Sequence, residues 1–342
     1  TWPKAWGGQA AEPAKGVIFA EEEAARLPNA TFPFIIGMGM CLPVVMTFGD
    51  QATRERFGPP GLRGEEIWCQ LFSEPGAGSD VASARTRAVR DGDEWVIDGQ
   101  KVWTSGAHYS DFGIILCRTN PEAPKHKGLT MFWVDMKSPG VEARPIRQVS
   151  GGAEFNETFF TGVRVKDSQR LGAVDDGWKV SLVTLMNERL AVGGASAISW
   201  RMVLEAARTT PGLDGAPAIR DPALRDKLAD WYVQSEGLTH TRNRIMTALS
   251  RGETPGPENA IGKIVASQVL VDLAQTAVEM LGEYGIVSDP ELAPLEGVFQ
   301  SGFLGSPALR IAGGTDEILR NIIAERVLGL PGDIRVDKDV PF

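Results

Sequence analysis

The spacing of apolar positions changes twice along the chain. Over residues 1–66 it is helical: "VIFAEEEAARL" sets Val17, Ile18, Ala24 and Leu27 at helical intervals. Asp50 stands as a cap before "QATRERF", and Gly58-Pro59-Pro60 is expected to stop that helix. From Glu66 the period shortens to two. "TRAVRDGDEWVIDGQKVWTSG" sets Asp91-Gly92 and Asp98-Gly99 among alternating residues, which predicts a hairpin turn at each. Strand-like runs follow at 112–118, 129–135, 141–146, 156–160 and 163–166 with no helical stretch between them. An antiparallel, barrel-like β domain is therefore expected in place of a Rossmann unit. After "AVDDGWKVS" the helical period returns, over Trp178–Arg208, about Pro222 to Leu249, Asn259–Leu281 and a last helix from Thr315. The short connections predict an antiparallel bundle. The expected division is 1–66, 67–174 and 175–342, helical, β and helical in turn.

Composition narrows the function. The 342 residues carry 35 Lys plus Arg against 44 Asp plus Glu, a net charge of -9 with no basic stripe, which argues against nucleic acid as a partner. The three cysteines, Cys41, Cys69 and Cys117, and the three histidines, His108, His126 and His240, show no ligand spacing, so no metal is expected. An odd, scattered cysteine count fits a reducing compartment, and a cytoplasmic location is expected. "TWPKAWGG" has neither the basic nor the apolar region of a signal peptide. The longest apolar run, Phe32–Phe48, is broken by Pro33, Gly37, Gly39 and Pro43 and is shorter than the ~20 residues a bilayer requires, so it reads as a buried helical segment.

Three clusters carry candidate chemistry. "LFSEPGAGSDVAS" (71–83) is a glycine-rich loop entering the β domain, able to approach a flat cofactor or a phosphate, with Ser73 and Ser79 supplying hydroxyls. It lacks the dinucleotide fingerprint, since Val81 stands where the third glycine belongs. "QKVWTSGAHYSDF" (100–112) sets Thr104, Ser105 and Gly106 beside the large ring of Trp103. "IAGGTDEILRN" (311–321) runs two glycines into Thr315, a helix cap whose neighbouring N–H groups face an anion or a polarised oxygen. Each has a plain alternative: a surface turn, a core tryptophan, an ordinary helix start.

Taken in order, "LFSEPGAGSD", "GDEWVIDGQKVWTSG", "MNERLAVGG" and "GGTDEILRNIIAERVLG" closely resemble the acyl-CoA dehydrogenase family of flavoproteins over nearly the whole chain. The resemblance implies an α+β fold: an N-terminal helical domain, a middle antiparallel β-barrel-like domain and a C-terminal four-helix bundle. It implies FAD as cofactor, an acyl-CoA substrate and an electron-transfer flavoprotein as acceptor. Carried over residue by residue, Phe72, Ser73, Gly78 and Ser79 line the flavin and thioester, with Ser79 also near the CoA moiety. Trp103, Thr104 and Ser105 form the flavin platform, and Gly314, Thr315 and Glu317 cradle the thioester and the cofactor.

Nothing in Gly-Gly-Thr moves a proton. In many members the glutamate that takes the α-proton stands immediately before Gly-Thr, where this chain has Gly313. The Gly313 N–H, which the family uses on the thioester oxygen, survives that change. Isovaleryl- and long-chain-type members carry the glutamate on a bundle helix in a Glu-Arg-Leu context, here "LMNERLAVGG", and Glu188 is the expected base. Glu188 also lies among Leu182, Leu185, Val192 and Ala195 at helical spacing, where an apolar pocket raises a carboxylate toward a general base's range. Arg189 is expected to line the substrate site.

Two family elements are degenerate. The Arg-x-x-Phe-Gly that holds a neighbouring flavin's pyrophosphate appears as "ARTTPG", retaining Arg208 alone, and Gln-x-x-Gly-Gly appears as "EMLGEYG", with Glu279 and Glu283 in place of Gln and Gly. Carboxylates beside a pyrophosphate are unfavourable. A homo- or hetero-oligomer is expected, including an α2β2 assembly of the steroid side-chain type with a second acyl-CoA dehydrogenase subunit. A non-catalytic subunit and an O2-using oxidase are the alternatives.

Overall fold

The computed structural model describes residues 1–26, 32–192, 198–212, 214–253, 256–257, 259–334, 336 and 339–342. The chain forms two compact units, residues 1–191 with 333–342, and residues 192–332.

The first unit opens with α1 (Pro13–Arg26), α2 (Phe32–Ile36), a π turn (Gly37–Cys41), α3 (Leu42–Phe48) and α4 (Gln51–Leu62). The apolar run is buried as expected, at Met40, Cys41, Leu42, Val44 and Val45. The Asp50 side chain accepts from the Thr53 N–H at 2.7 Å, the expected cap. α4 does not stop at Gly58-Pro59-Pro60 but runs to Leu62. Both prolines fall in its last turn, where their fixed φ is already helical and each forfeits only its own N–H bond to the carbonyl four residues back. The Arg63 and Glu65 N–H groups then close on the carbonyls of Pro59 (3.2 Å) and Pro60 (3.0 Å).

Eight strands follow: β1 (Trp68–Leu71), β2 (Arg87–Asp91), β3 (Glu94–Lys101), β4 (Phe112–Arg118), β5 (Leu129–Asp135), β6 (Val141–Pro145), β7 (Asn156–Lys166) and β8 (Arg170–Leu171). They make one sheet in the order β6-β7-β3-β2-β4-β5-β8, with β1 also paired to β4. Asp91-Gly92 turns the β2–β3 hairpin, as expected. Asp98-Gly99 does not turn. It lies inside β3, where the register with β7 slips between Ile97 and Gly99. Gly99 has φ +152°, and a Cβ there would stand 2.6 Å from the Thr86 hydroxyl, so the glycine serves a bulge that lets two strands approach closely.

The sheet is antiparallel except where β1 and the start of β2 run parallel to β4. Because β5 occupies the other edge of β4, β1 and β2 share one edge, and the chain must leave the sheet between Leu71 and Arg87. That excursion contains the glycine-rich loop. Along β4 the faces alternate. Ile114 and Leu116 pack with Trp68, Phe57, Val45 and Val180, whereas Ile115 and Cys117 pack with Ile97, Phe132 and Val163. Burial pushes the Cys69 and Cys117 thiols up to about 12, so neither offers a thiolate. The unit's last helix is α5 (Gly177–Val192).

The second unit holds α6 (Trp200–Thr209), α7 (Pro222–Ser250), α8 (Asn259–Met280), α9 (Val298–Leu309) and α10 (Asp316–Ile322). Trp231, Leu270, Leu273, Ala274, Ala277 and Phe299 fill its core. The segment expected as one helix over 178–208 divides into α5 and α6, with residues 193–197 outside the described part. α9 falls between the expected helices ending at Leu281 and starting at Thr315, and it accommodates Gly302, Gly305 and Pro307. Gly302 is small because Ile198 packs against it, and Pro307 again falls in a last turn. α8 from Ala260 is long and apolar enough to cross a membrane by length and composition. Here it is the central core helix of the bundle.

Candidate active site

Past Leu71 the chain folds into a tight turn in which the Glu74 and Ala77 N–H groups each donate to the other's carbonyl at 3.0 Å. Its two ends are tied by a buried ion pair. The Glu74 carboxylate accepts from the N–H groups of Arg85 (2.7 Å) and Thr86 (2.8 Å) and from Lys101 Nζ (2.8 Å). Lys101, fully buried at the end of β3, also donates to the Phe72 carbonyl at 3.0 Å, and the Val102 N–H donates to the Ser73 carbonyl at 2.9 Å. Burial pushes the Glu74 carboxyl up, but the Lys101 charge and the N–H bonds outweigh it, leaving the group below the usual carboxylate range. Burial lowers Lys101, partly offset by Glu74.

With its back fixed in this way, the loop turns its small residues outward. Gly76, Gly78 and Ser79 are exposed, and a Cβ at either glycine would meet nothing within 4 Å. Ser73 is half-buried, whereas the Phe72 ring is buried in the sheet–helix core, leaving backbone as what Phe72 presents to the loop. An open hollow of about 550 Å³ lies beside the turn, lined by Pro75, Gly76, Arg85, Gln100 and Phe342, but none of Trp103, Thr104 and Ser105 lines it.

Two residues past β3, Trp103 takes φ +59°, an uncommon conformation for a bulky side chain, and the residue is 59% exposed. It is thus not a core tryptophan. Its ring edge meets Phe155 with centroids 6.0 Å apart. The strain is held from the C-terminal side: the Thr104 N–H donates to the Asn156 carbonyl (3.1 Å), Asn156 Nδ2 returns a bond to the Thr104 carbonyl (2.9 Å), and the Gly106 N–H donates to the Glu154 carbonyl (2.7 Å). Thr104 is buried with its hydroxyl lacking a partner among the described residues, and Ser105 beside it is half-buried. An exposed aromatic face, an orphaned hydroxyl and an open glycine loop fit a flat, polar-edged cofactor such as a flavin.

In the second unit the turn 310–316 is tied at both ends. The Asp316 N–H donates to the Arg310 carbonyl at 3.2 Å, and the Arg310 guanidinium holds the Asp316 carboxylate at 2.7 and 2.8 Å. Between these ends Gly313 and Gly314 take φ +68° and +93°. Thr315 accepts from the Ile318 N–H at 3.3 Å, the expected cap. Among the described residues, the N–H groups of Gly313, Gly314 and Thr315 find no protein acceptor. Successive N–H groups at a left-handed turn form a concavity suited to an oxygen carrying negative charge. Glu317 is exposed in the first turn of α10.

The remaining expected residues are placed less fully. Glu188 and Arg189 lie on α5, and their side chains fall outside the described part of the structure. Arg208 is exposed in the last turn of α6, 3.8 Å from Glu205. Glu279 and Glu283 are exposed, with Gln275 donating to Glu279 at 2.9 Å. Sequence reasoning passed over the pairing of Glu74 with Lys101 and the buried Lys263. The available signal was a lone cation in each of two elements, at the end of β3 and in α8.

Known proteins resemble this chain over most of its length. The family model for the acyl-CoA dehydrogenase middle domain matches residues 69–163, and that for the C-terminal domain matches residues 175–328. Acyl-CoA dehydrogenase FadE34 of Mycobacterium tuberculosis is 38% identical over 330 residues, 96% of this chain but 44% of that protein. The chain thus spans less than half of FadE34. Acyl-CoA dehydrogenase IpdE1 of the same organism is 38% identical over 346 residues, 98% of this chain and 85% of that one. Among solved structures, the Tcur3481-Tcur3483 steroid ACAD matches with a TM-score of 0.86 at 32% identity, covering 97% of this chain and 85% of its own. The ChsE4-ChsE5 complex from Mycobacterium tuberculosis matches with 0.86 at 30%, covering 97% and 86%.

Proposed function

The chain belongs to the acyl-CoA dehydrogenase family, and on that premise we propose that it catalyses the FAD-dependent α,β-dehydrogenation of an acyl-CoA thioester to the trans-2-enoyl-CoA. The observation that carries the reading is the exposed Trp103 ring, held at positive φ beside the orphaned Thr104 hydroxyl. Such strain is retained where a site requires it.

When bound, FAD supplies the acceptor for the two electrons and proton that leave the β-carbon as hydride. The chain's residues do the rest. Trp103 covers one face of the ring, and Thr104 and Ser105 offer hydroxyls to its polar edge. The backbone of Phe72 and Ser73, with Gly78 and Ser79, lines the cofactor, and Ser79 also meets the CoA moiety. Thr315 and Glu317 contribute from the bundle, and Arg208 offers a charge to a pyrophosphate. The Gly313 N–H, with Gly314 beside it, receives the thioester oxygen, and that polarisation acidifies the α-carbon. Glu188 takes the α-proton as general base, and Arg189 lines the acyl site.

The likeness to the Tcur3481-Tcur3483 steroid ACAD supports a bulky acyl chain, and the likeness to the ChsE4-ChsE5 complex supports a hetero-oligomer with a second subunit of the same family. An electron-transfer flavoprotein as acceptor and a cytoplasmic location complete the proposal. Gly313, at the position of the usual glutamate, favours one second reading, a non-catalytic subunit. The test is the visible spectrum of the chain, purified alone and with a co-expressed family subunit, before and after anaerobic acyl-CoA. Bleaching of a bound flavin that depends on this chain supports catalysis. Bleaching that persists when this chain's Glu188 is changed to Gln supports the second reading.

A further inference from the structure

Lys263 lies on α8, where no other residue is basic, and its side chain is 3% exposed. A buried ammonium is costly unless its partners are well placed. Its Nζ donates to the Gly314 carbonyl at 2.7 Å and stands 3.9 Å from Asp316 Oδ1. The same carboxylate is held by Arg310 on its other oxygen and approached by Gln268 Nε2 at 3.4 Å. Asp316 is itself buried, and desolvation is outweighed there by the Arg310 and Gln268 bonds, so the carboxyl lies below the usual range and is charged. Arg310 and Asp316 therefore pin the ends of the turn, and Lys263 reaches across from another helix to pin its middle.

That middle has the most freedom to move. Two consecutive glycines at positive φ have many alternative conformations, and the peptide planes beside them can rotate without steric penalty. Rotation would redirect the Gly313 and Gly314 N–H groups, which have no protein acceptor to hold them. Fixing the Gly314 carbonyl fixes the plane that follows it and, through Gly314, restrains the planes before it. We infer that Lys263 is a positioning residue for the thioester carbonyl: its bond to the Gly314 carbonyl holds the Gly-Gly-Thr turn in the orientation that aims the Gly313 N–H at the substrate oxygen. The inference rests on the function proposed above.

The test compares wild type with Lys263→Met, close in shape but lacking the donor, and Lys263→Gln, which keeps a donor without the charge. The protein is the flavin-loaded assembly. The probe is a carbonyl-13C acyl-CoA, taken from a series from butyryl- to palmitoyl-CoA plus a steroid side-chain thioester. Infrared difference spectra give the carbonyl stretch of the bound thioester, which falls in frequency as donors polarise it. Flavin content, melting temperature and the flavin reduction rate are read on the same samples. The expected result is that Lys263→Met keeps its flavin, loses at least half of the carbonyl shift and slows reduction by about ten- to a hundredfold, the scale of a small misplacement at the reacting centre. Lys263→Gln should fall between it and wild type. A lowered melting temperature with an unchanged carbonyl band and rate would make Lys263 merely structural and overturn the inference. Should Lys263→Met fail to fold, Lys263→Ala, which also lacks the donor, decides: a wild-type carbonyl band and rate in that variant would overturn it. A wild type that neither shifts the carbonyl nor reduces its flavin would overturn the proposed function and this inference with it.

Discussion

Lys101 Nζ lies 2.8 Å from Glu74 Oε1 at the back of the glycine-rich loop, with both side chains removed from solvent. The pair joins the end of β3 to the stretch that leaves β1. Removing one partner strands the other as a buried charge. Lys101→Met is therefore expected to destabilise the first unit by about 3–5 kcal/mol, whereas Glu74→Gln combined with Lys101→Met recovers much of that loss. Denaturant unfolding of the single and double variants checks both values.

The same pair sets an acid dependence. The folded-state value of Glu74 lies below its ordinary one, so its contribution is fully present above the usual carboxylate range and is lost as pH falls through the depressed value. Unfolding free energy followed from pH 7 downward should show a flatter acid limb in the double variant than in wild type. Equal slopes would remove Glu74 from the account.

Trp103 and Ser105 test the flavin platform. The Trp103 ring is mostly exposed and makes one edge contact, so Trp103→Ala should leave the melting temperature nearly unchanged while weakening FAD binding. A lost aromatic stack corresponds to about a two- to tenfold rise in Kd. Ser105→Ala should shift the flavin spectrum or potential. Flavin titration and spectra check both, and wild-type values throughout would withdraw the platform.

A continuous apolar run marks a strand buried on both faces, which is why β4 and β5 were legible, as were α7 and α8 from the helical period, whereas the runs read as two strands at 156–160 and 163–166 are one strand, β7. What was not legible depends on partners distant in sequence. Asp98-Gly99 has the composition of a turn, but Thr86, just before β2, occupies the space beside Gly99 where the β3–β7 register slips. In α9, Gly302 is set by Ile198 packed against it, a contact that no local pattern announces. At the site, the motif residues could be read because their types are unusual in combination, whereas Lys101 and Lys263 looked like ordinary cations until the fold brought Glu74 and Gly314 to them.

Flavin stoichiometry should be below one FAD per chain in the functional assembly. Arg208 remains on α6 without the family's phenylalanine, and Glu279 and Glu283 add exposed carboxylates where a pyrophosphate would require neutral or positive groups. Absorbance at the flavin maximum against chain concentration gives the ratio. A homotetramer with one tightly held FAD per subunit would contradict it.

The central claim is that this chain carries its own base at Glu188 although Gly313 has replaced the usual one. Glu188→Gln preserves size and hydrogen-bonding reach but cannot accept a proton near neutral pH. Gly313→Glu in that background places a carboxylate at the family's commoner position, against the strain of φ +68° there. The decisive measurement is rapid-mixing reduction of the bound flavin at saturating acyl-CoA in wild type and Glu188→Gln. The account predicts unchanged FAD and thioester binding with reduction slowed by at least ~10²–10⁴-fold. Reduction of the Glu188→Gln flavin at close to the wild-type rate would contradict it.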